Sequence, residues 1–131
     1  MAKHTIKSIS DATPRSPCPL ARTLDIVGDK WTLLVVRDLF MGKTTYGDLQ
    51  KSHEKIPSNI LAERLKRLEA YGIINKTQYQ ERPVRYAYTL TATGKTLWPL
   101  MKEIMLWGNK HIPATFDPRT ILKRIESGQN K

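Results

Sequence analysis

This chain of 131 residues carries 22 Lys and Arg against 12 Asp and Glu, a formal charge of +10, which is more positive charge than solubility requires and favours a polyanionic partner. Its length suits one domain with its own core, and its longest strongly apolar run, Trp31 to Val36, ends at Arg37, far short of the ~20 residues a membrane-spanning helix needs. The lone Cys18 excludes an internal disulfide and the N-terminus lacks the apolar core of a secretion signal, so a cytoplasmic protein is expected, with nucleic acid ranked above a membrane surface as partner.

Residues 1–17 read as a flexible N-terminal arm. Pro19 suits a first helical position, Leu20, Leu24 and Val27 recur at i, i+4 and i+7 as a buried stripe, and Gly28 can close that helix. Asp29 then caps a second helix containing Trp31, Leu34, Val35, Leu39 and Phe40, which Gly42 ends. Thr45-Tyr46-Gly47-Asp48 has capping-box spacing and predicts a short third helix from about Tyr46 to Ser52.

After the link His53 to Ile56 comes IPSNILAERLKRLEAYG, where Leu61, Leu65 and Leu68 form a buried stripe, Pro57 and Ser58 supply a start and Gly72 a stop. At about 100° per residue, Asn59, Ala62, Glu63, Lys66, Arg67 and Ala70 occupy the opposite face. On an isolated helix such a face reads as solvated surface. A hairpin comes next in the chain: Val84, Tyr86, Tyr88 and Leu90 alternate with Arg85, Ala87 and Thr89, Asn75 to Tyr79 forms the first strand, and Gln80-Glu81-Arg82-Pro83 is a polar turn. A hairpin needs no charge at its tip, so Arg82, Arg85 and Lys76 beside a basic helix suggest one continuous phosphate-binding surface.

Thr91 opens a long helical pattern, ATGKTLWPLMKEIMLWGNKHI, in which Leu97, Met101, Ile104, Gly108 and His111 share a face flanked by Leu100, Met105 and Trp107, with a local bend expected at Pro99. Asp117-Pro118 caps a last short helix with Ile121, Leu122 and Ile125. More apolar surface is present than one small domain readily covers, so Leu20, Leu24, Leu97, Met101, Ile104, Met105, Trp107 and Gly108 are expected at a homodimer interface. Packing of the same faces within one chain is the competing reading.

The predicted class is α+β, mainly α: a winged helix-turn-helix with N- and C-terminal dimerisation helices, its DNA-binding and dimerisation unit at 18–112 and a C-terminal helix and tail at 113–131. In that arrangement the first helix of the motif crosses the backbone and the second enters the major groove. Ser58, Asn59, Ala62, Glu63, Lys66 and Arg67 would form the recognition helix face, while Lys43, Thr45, Lys51, Lys55, Arg64, Lys76, Arg82 and Arg85 would serve the DNA backbone and the wing.

The ordered set Cys18-Pro19, Gly28-Asp29-Lys30-Trp31-Thr32-Leu33-Leu34, Arg37-Asp38-Leu39, Gly42, Tyr46-Gly47-Asp48-Leu49, Leu61-Ala62-Glu63-Arg64-Leu65, Leu68-Glu69, Gly72, Tyr88-Thr89-Leu90-Thr91 and Gly94 resembles the HxlR family of bacterial winged-helix regulators, which is related to the MarR regulators. The resemblance spans about residues 18 to 108 and implies a homodimeric DNA-binding transcription factor, usually regulating a neighbouring operon. The chain departs from the family pattern at Thr45-Tyr46, where Arg-Phe is usual, and at Pro57-Ser58, where a Ser precedes Pro. Arg64 matches the family's Arg but flanks the buried stripe, so it is assigned to phosphate or an internal salt bridge rather than to a base.

Cys18, at the cap of the first helix, faces unpaired amides and a helix dipole that stabilise thiolate. In some members of the resembling family a cysteine before Pro here is a switch for oxidants, quinones or aldehydes, which would make Cys18 a redox or electrophile sensor. An inert capping residue is the alternative. No catalytic constellation is legible: His4, His53 and His111 are far apart without metal-ligand spacing, and the glycines sit at element boundaries rather than in a phosphate loop. No enzyme activity, metal or cofactor is therefore expected. The expected partners are double-stranded DNA, a second copy of the chain and a small electrophile or aromatic effector between the dimer helices, with no membrane. A winged-helix module binding an acidic protein is the alternative from a different class.

Overall fold

The computed structural model describes residues 15–129, so the expected arm at 1–17 lies outside them except for its last three residues. Helix α1 (Pro19–Val27) opens on a proline, whose missing N–H would have no helical partner in the first turn, and closes where the Gly28 amide donates to the Leu24 carbonyl at 2.8 Å. Helix α2 (Thr32–Phe40) begins where Asp29 Oδ2 accepts from the amides of Trp31 and Thr32 at 3.1 and 3.2 Å. Helix α3 (Tyr46–Gln50) is capped by Thr45, whose Oγ1 accepts from the Asp48 amide at 3.1 Å. It ends two residues before the expected Ser52, because the chain turns there to bury Ser52 and carry Ile56 into the core.

Helix α4 (Ser58–Ala70) buries Leu61, Leu65 and Leu68, as their spacing predicts. Gly72, at φ +75°, reverses the chain in a conformation that an L side chain rarely adopts. Strands β1 (Ile74–Glu81) and β2 (Val84–Leu90) then pair antiparallel. Strand β1 runs further toward the tip than expected, through Gln80 and Glu81, leaving Arg82-Pro83 as the turn instead of four residues, while β2 starts at Val84 as its alternation predicts. Cross-strand hydrogen bonds account for the difference, since the ladder tolerates polar side chains that periodicity alone assigns to a turn. The apolar face of β2 is covered only toward its base: Tyr86, Tyr88 and Leu90 are partly buried, whereas Val84 is exposed.

The long pattern after Thr91 is two helices rather than one bent helix. Thr91 Oγ1 accepts from the Gly94 amide at 3.0 Å and caps α5 (Ala92–Lys95), after which α6 (Trp98–His111) starts afresh. Pro99 lies in the first turn of α6, where it displaces no helical hydrogen bond and bends nothing. Helix α7 (Arg119–Gln129) is the last element, with Asp117 Oδ1 accepting from the Arg119 amide at 3.0 Å.

One apolar core joins these elements: Val36 and Leu39 of α2, Leu49 of α3, the α4 leucines, Ile73 and Ile74, Trp98 and Met101 of α6, and Leu122 and Ile125 of α7. The core ties the wing to the body at close quarters. A Cβ on Gly94 would stand 2.2 Å from the Ile73 carbonyl oxygen, while Thr91 donates from its amide to that oxygen at 3.0 Å and from its hydroxyl to the Gly72 carbonyl at 2.6 Å. Among the described residues, no helix is long and apolar enough to cross a membrane and no His, Cys, Asp and Glu group could hold a metal ion.

Candidate nucleic-acid interface

Helices α3 and α4 form a helix-turn-helix whose geometry is set by polar contacts around its turn. The Tyr46 hydroxyl donates to the Ser58 carbonyl at 2.7 Å and lies 2.5 Å from Ser58 Oγ, tying the start of α3 to the start of α4. Pro57, the N-cap residue, offers no side-chain acceptor to the first amides of α4, and Tyr46 instead fixes that end of the helix through Ser58. In the turn, Glu54 accepts a bidentate pair from Arg37 of α2, 2.9 Å from Nη1 and 2.7 Å from Nη2. Those hydrogen bonds, outweighing burial, hold the Glu54 carboxyl at about 2.

A second anchor lies on the flank of α4. Arg64 Nε donates to Asp29 Oδ2 at 2.8 Å, and Arg64 also contacts Glu63. Asp29 therefore serves three groups, capping α2, accepting from the Thr32 hydroxyl and pairing with Arg64. Burial pushes its carboxyl up, but the Thr32 and Arg64 hydrogen bonds prevail and hold it at about 2. Arg64 is thus engaged internally, one of the two roles its angle allowed.

The outer face of α4 presents Ser58, Asn59, Ala62, Glu63, Lys66 and Ala70 to solvent. Arg67 is placed differently from its expected position beside them. It is partly buried, with Nη2 donating to the Asp25 carbonyl of α1 at 3.3 Å and Nε 3.5 Å from Glu63. The residue lies at the edge of the face, where a long side chain can reach the neighbouring helix, and angle alone does not reveal that α1 passes there. Lys51 and Lys55 of the turn are exposed, Lys55 at φ 58°, and Lys43 and Thr45 are partly buried before α3.

The wing is held to the motif by backbone. The Tyr88 amide donates to the Thr44 carbonyl at 2.7 Å and Thr45 bridges Ala87, adding a short third edge to the hairpin. Arg82 and Arg85 are exposed at and near the tip. Lys76 Nζ sits 4.1 Å from the Tyr86 ring centroid, a cation–π contact that stiffens one side of the wing while leaving the ammonium at the surface. Thr45, Tyr46, Tyr79, Arg85 and Tyr86 line a groove between α3 and the wing. Sequence reasoning missed Tyr46, Arg37 and Glu54; only Tyr46, an aromatic in the first turn of a short polar helix, left a usable signal.

The expected interface residues fall into two groups. Leu20 and Leu24 of α1 are 67% and 48% exposed, and Ile104 and Trp107 of α6 are 48% and 62% exposed. Met101, by contrast, is buried in the core of its own chain, and Leu97 and Met105 pack partly against it. Helix α6 carries two apolar stripes, one through Trp98, Met101 and Met105 and another through Leu100, Ile104 and Trp107, and the first is already spent inside the protomer. Gly108 lies partly buried between them. Cys18 is exposed at the α1 N-cap, where the Ala21 and Leu20 amides draw its thiol below the ordinary value.

Residues 26–116 match the HxlR-like helix-turn-helix family. An HTH-type transcriptional regulator of Synechocystis sp. is 38% identical over 102 residues, covering 75% of this chain and 76% of that protein. Among solved structures, the redox regulator HypR in its reduced form is similar at a TM-score of 0.68 and 29% identity, covering 73% of this chain and 95% of that chain. The reduced form of the transcriptional regulator YodB from B. subtilis is similar at 0.63 and 27% identity, covering 77% and 100%. These proteins are transcription regulators, not enzymes. With a winged helix-turn-helix in place and the family match spanning it, the chain belongs to the HxlR-like helix-turn-helix family of transcriptional regulators.

Proposed function

We propose that this regulator binds double-stranded DNA sequence-specifically, as a homodimer on a near-palindromic operator, and that it does so in the cytoplasm. The observation that carries the reading is the exposed face of α4, with Asn59, Ala62, Glu63 and Lys66 outward, flanked by the exposed cations Lys51, Lys55, Arg82 and Arg85. On this reading α4 enters the major groove, where Asn59 and Lys66 meet base edges and Ala62 permits close approach. Lys43, Lys76 and the flanking cations neutralise phosphates, and Thr45 donates a hydrogen bond to one. Ser58 braces Tyr46, Glu63 orients Arg64 and Arg67, and Arg67 sets α1 against α4.

Two copies related by a two-fold axis would read half-sites about 34 Å apart. The apolar residues left exposed on α1 and α6, Leu20, Leu24, Ile104 and Trp107, are the surface on which the second copy would sit. The dimerising unit is proposed to span 18–112, with helix α7 packed upon it. Cys18 lies at the foot of α1, so oxidation or alkylation of its thiolate would alter the spacing of the two recognition helices. The redox-regulator description of HypR supports that part of the reading.

The test is binding of the purified protein to the DNA upstream of its own gene in excess nonspecific competitor, before and after diamide. Specific binding resists competitor by about a thousandfold or more, and with about 6 to 10 phosphate contacts it weakens on the order of a thousandfold from low to moderate salt. Binding lost on treatment and restored by a reducing thiol supports the whole reading. Indifference to treatment removes the switch, and failure to prefer any operator in a random-sequence selection transfers weight to an acidic protein partner.

A further inference from the structure

The wing carries an aromatic side chain that neither the core nor the strand pairing uses. From Ile74 opposite Leu90 to Gln78 opposite Tyr86 the two strands keep one register, and the pairing then slips by one residue, so that Gln80 stands opposite Arg85 and Tyr79 has no partner. A bulge of this kind breaks the alternation of a strand and re-aims the side chain it carries. Tyr79 is 53% exposed and Val84 of β2 54% exposed, in a part of the hairpin that is otherwise polar: Gln78, Gln80, Glu81 and Arg82 surround them in sequence. Taking these two side chains out of water would be favourable, and none of the described residues does so.

Both line a groove of about 460 Å³ between the wing and α3, with Tyr86 and Arg85 on the wing side and Thr45 and Tyr46 on the other. Its walls are fixed. The Tyr46 hydroxyl donates to the Ser58 carbonyl at the start of α4, and the Tyr88 amide donates to the Thr44 carbonyl, holding the wing against the segment that leads into α3. The groove therefore opens beside the recognition helix, with rings and Val84 along its floor and an exposed guanidinium at its rim. Apolar floor and cationic rim complement a polymer that alternates apolar sugar with anionic phosphate.

We infer that this groove seats one strand of the DNA duplex, with a deoxyribose packed on Tyr79 and Val84 and the adjoining phosphate met by Arg85 and the Thr45 hydroxyl. The inference rests on the DNA-binding reading and adds to it a contact made by apolar surface, on a residue that charge and helix periodicity pass over. Every nucleotide presents the same sugar, so Tyr79 contributes affinity to any duplex and reads no base.

The experiment compares the wild type with Tyr79→Ala, Tyr79→Phe and Arg85→Ala on two duplexes of equal length, an operator selected from random sequence and an unrelated sequence, over a range of salt concentration. Tyr79→Ala should keep the circular dichroism of the fold and weaken binding to both duplexes by a similar factor, about tenfold or more, as loss of a half-exposed aromatic implies. Its slope of log affinity on log salt should equal that of the wild type, because no phosphate contact is lost. Tyr79→Phe keeps the ring and should bind within about twofold of the wild type. Arg85→Ala should instead lower the slope by about 0.9 for each phosphate released. A Tyr79→Ala protein that binds as the wild type does, that loses affinity for the operator alone, or whose slope falls as in Arg85→Ala would each overturn the seat. A wild type that binds neither duplex would strike the DNA-binding reading itself, and the seat with it, before any variant is compared.

Discussion

The helix-turn-helix and the outer surfaces of α1 and α6 use the same kind of amphipathic helix and finish differently. In α4 every leucine of the stripe is covered by its own chain, with Leu61 at 0% exposure, and the polar flank is fastened by Arg64 to Asp29. In α1 the equivalent stripe buries only Val27 and leaves Leu20 and Leu24 in solvent, with Ile104 and Trp107 exposed on α6. One region is complete in a single chain; the other has apolar surface that none of the described residues covers. Periodicity tells that a helix has an apolar face but not whose surface meets it.

The contrast breaks most readily at the core. Leu61→Ala should cost about 2 to 5 kcal/mol in urea unfolding, since a fully buried leucine loses its transfer energy and leaves a cavity; Leu24→Ala should cost far less in the same assay, and similar losses would erase the distinction. Next in size is Gly94→Ala, where the added methyl meets the Ile73 carbonyl at 2.2 Å. It should cost about 1 to 3 kcal/mol by overpacking and loosen the wing, read as faster amide exchange in β1 and β2.

On the unfinished side, Leu24→Glu with Trp107→Glu should leave the circular dichroism of the protomer intact and shift sedimentation from dimer to monomer. A dimer that survives both substitutions would mean that some other face carries the association.

Smaller effects come from the polar fastenings. Asp29 and Glu54, ordinarily near 3.8 and 4.5, both lie at about 2 in the fold. Their contribution to stability is therefore fully present above about pH 4.5 and is lost as pH falls toward 2. Arg64→Gln and Arg37→Gln should flatten that part of the acid-unfolding profile, and a wild-type profile level from pH 5 to 2 would show that the pairs carry no net stability. Smallest of all in stability is Lys66→Ala, expected within about 0.5 kcal/mol of wild type as an exposed substitution. It should nonetheless weaken operator binding, so unchanged binding would take Lys66 off the recognition face.

Much of this is legible in residue order. The leucine period of α4, the Asp29 and Thr45 caps, the Gly72 reversal and the alternation of Val84 to Leu90 all obey local rules, and each element stands where those rules put it. Periodicity misplaces Met101 and Arg67 for one shared reason. Each lies where two helix faces meet, so its surroundings depend on the crossing of a distant element, α2 and α7 for Met101 and α1 for Arg67. The long helix after Thr91 fails differently: Pro99 suggests a bend by itself, but the capping hydroxyl of Thr91 and the first turn of α6 together make it a boundary.

By itself, then, the sequence determined the order and kind of the elements, the basic surface and the family, because periodicity, caps, turn residues and charge act over a few neighbours or over the whole composition. Tertiary structure alone decided which apolar faces were spent and which left open, and which arginines were tied down. Those properties depend on segments far apart in the chain meeting at contact distance, and no local period encodes where they cross.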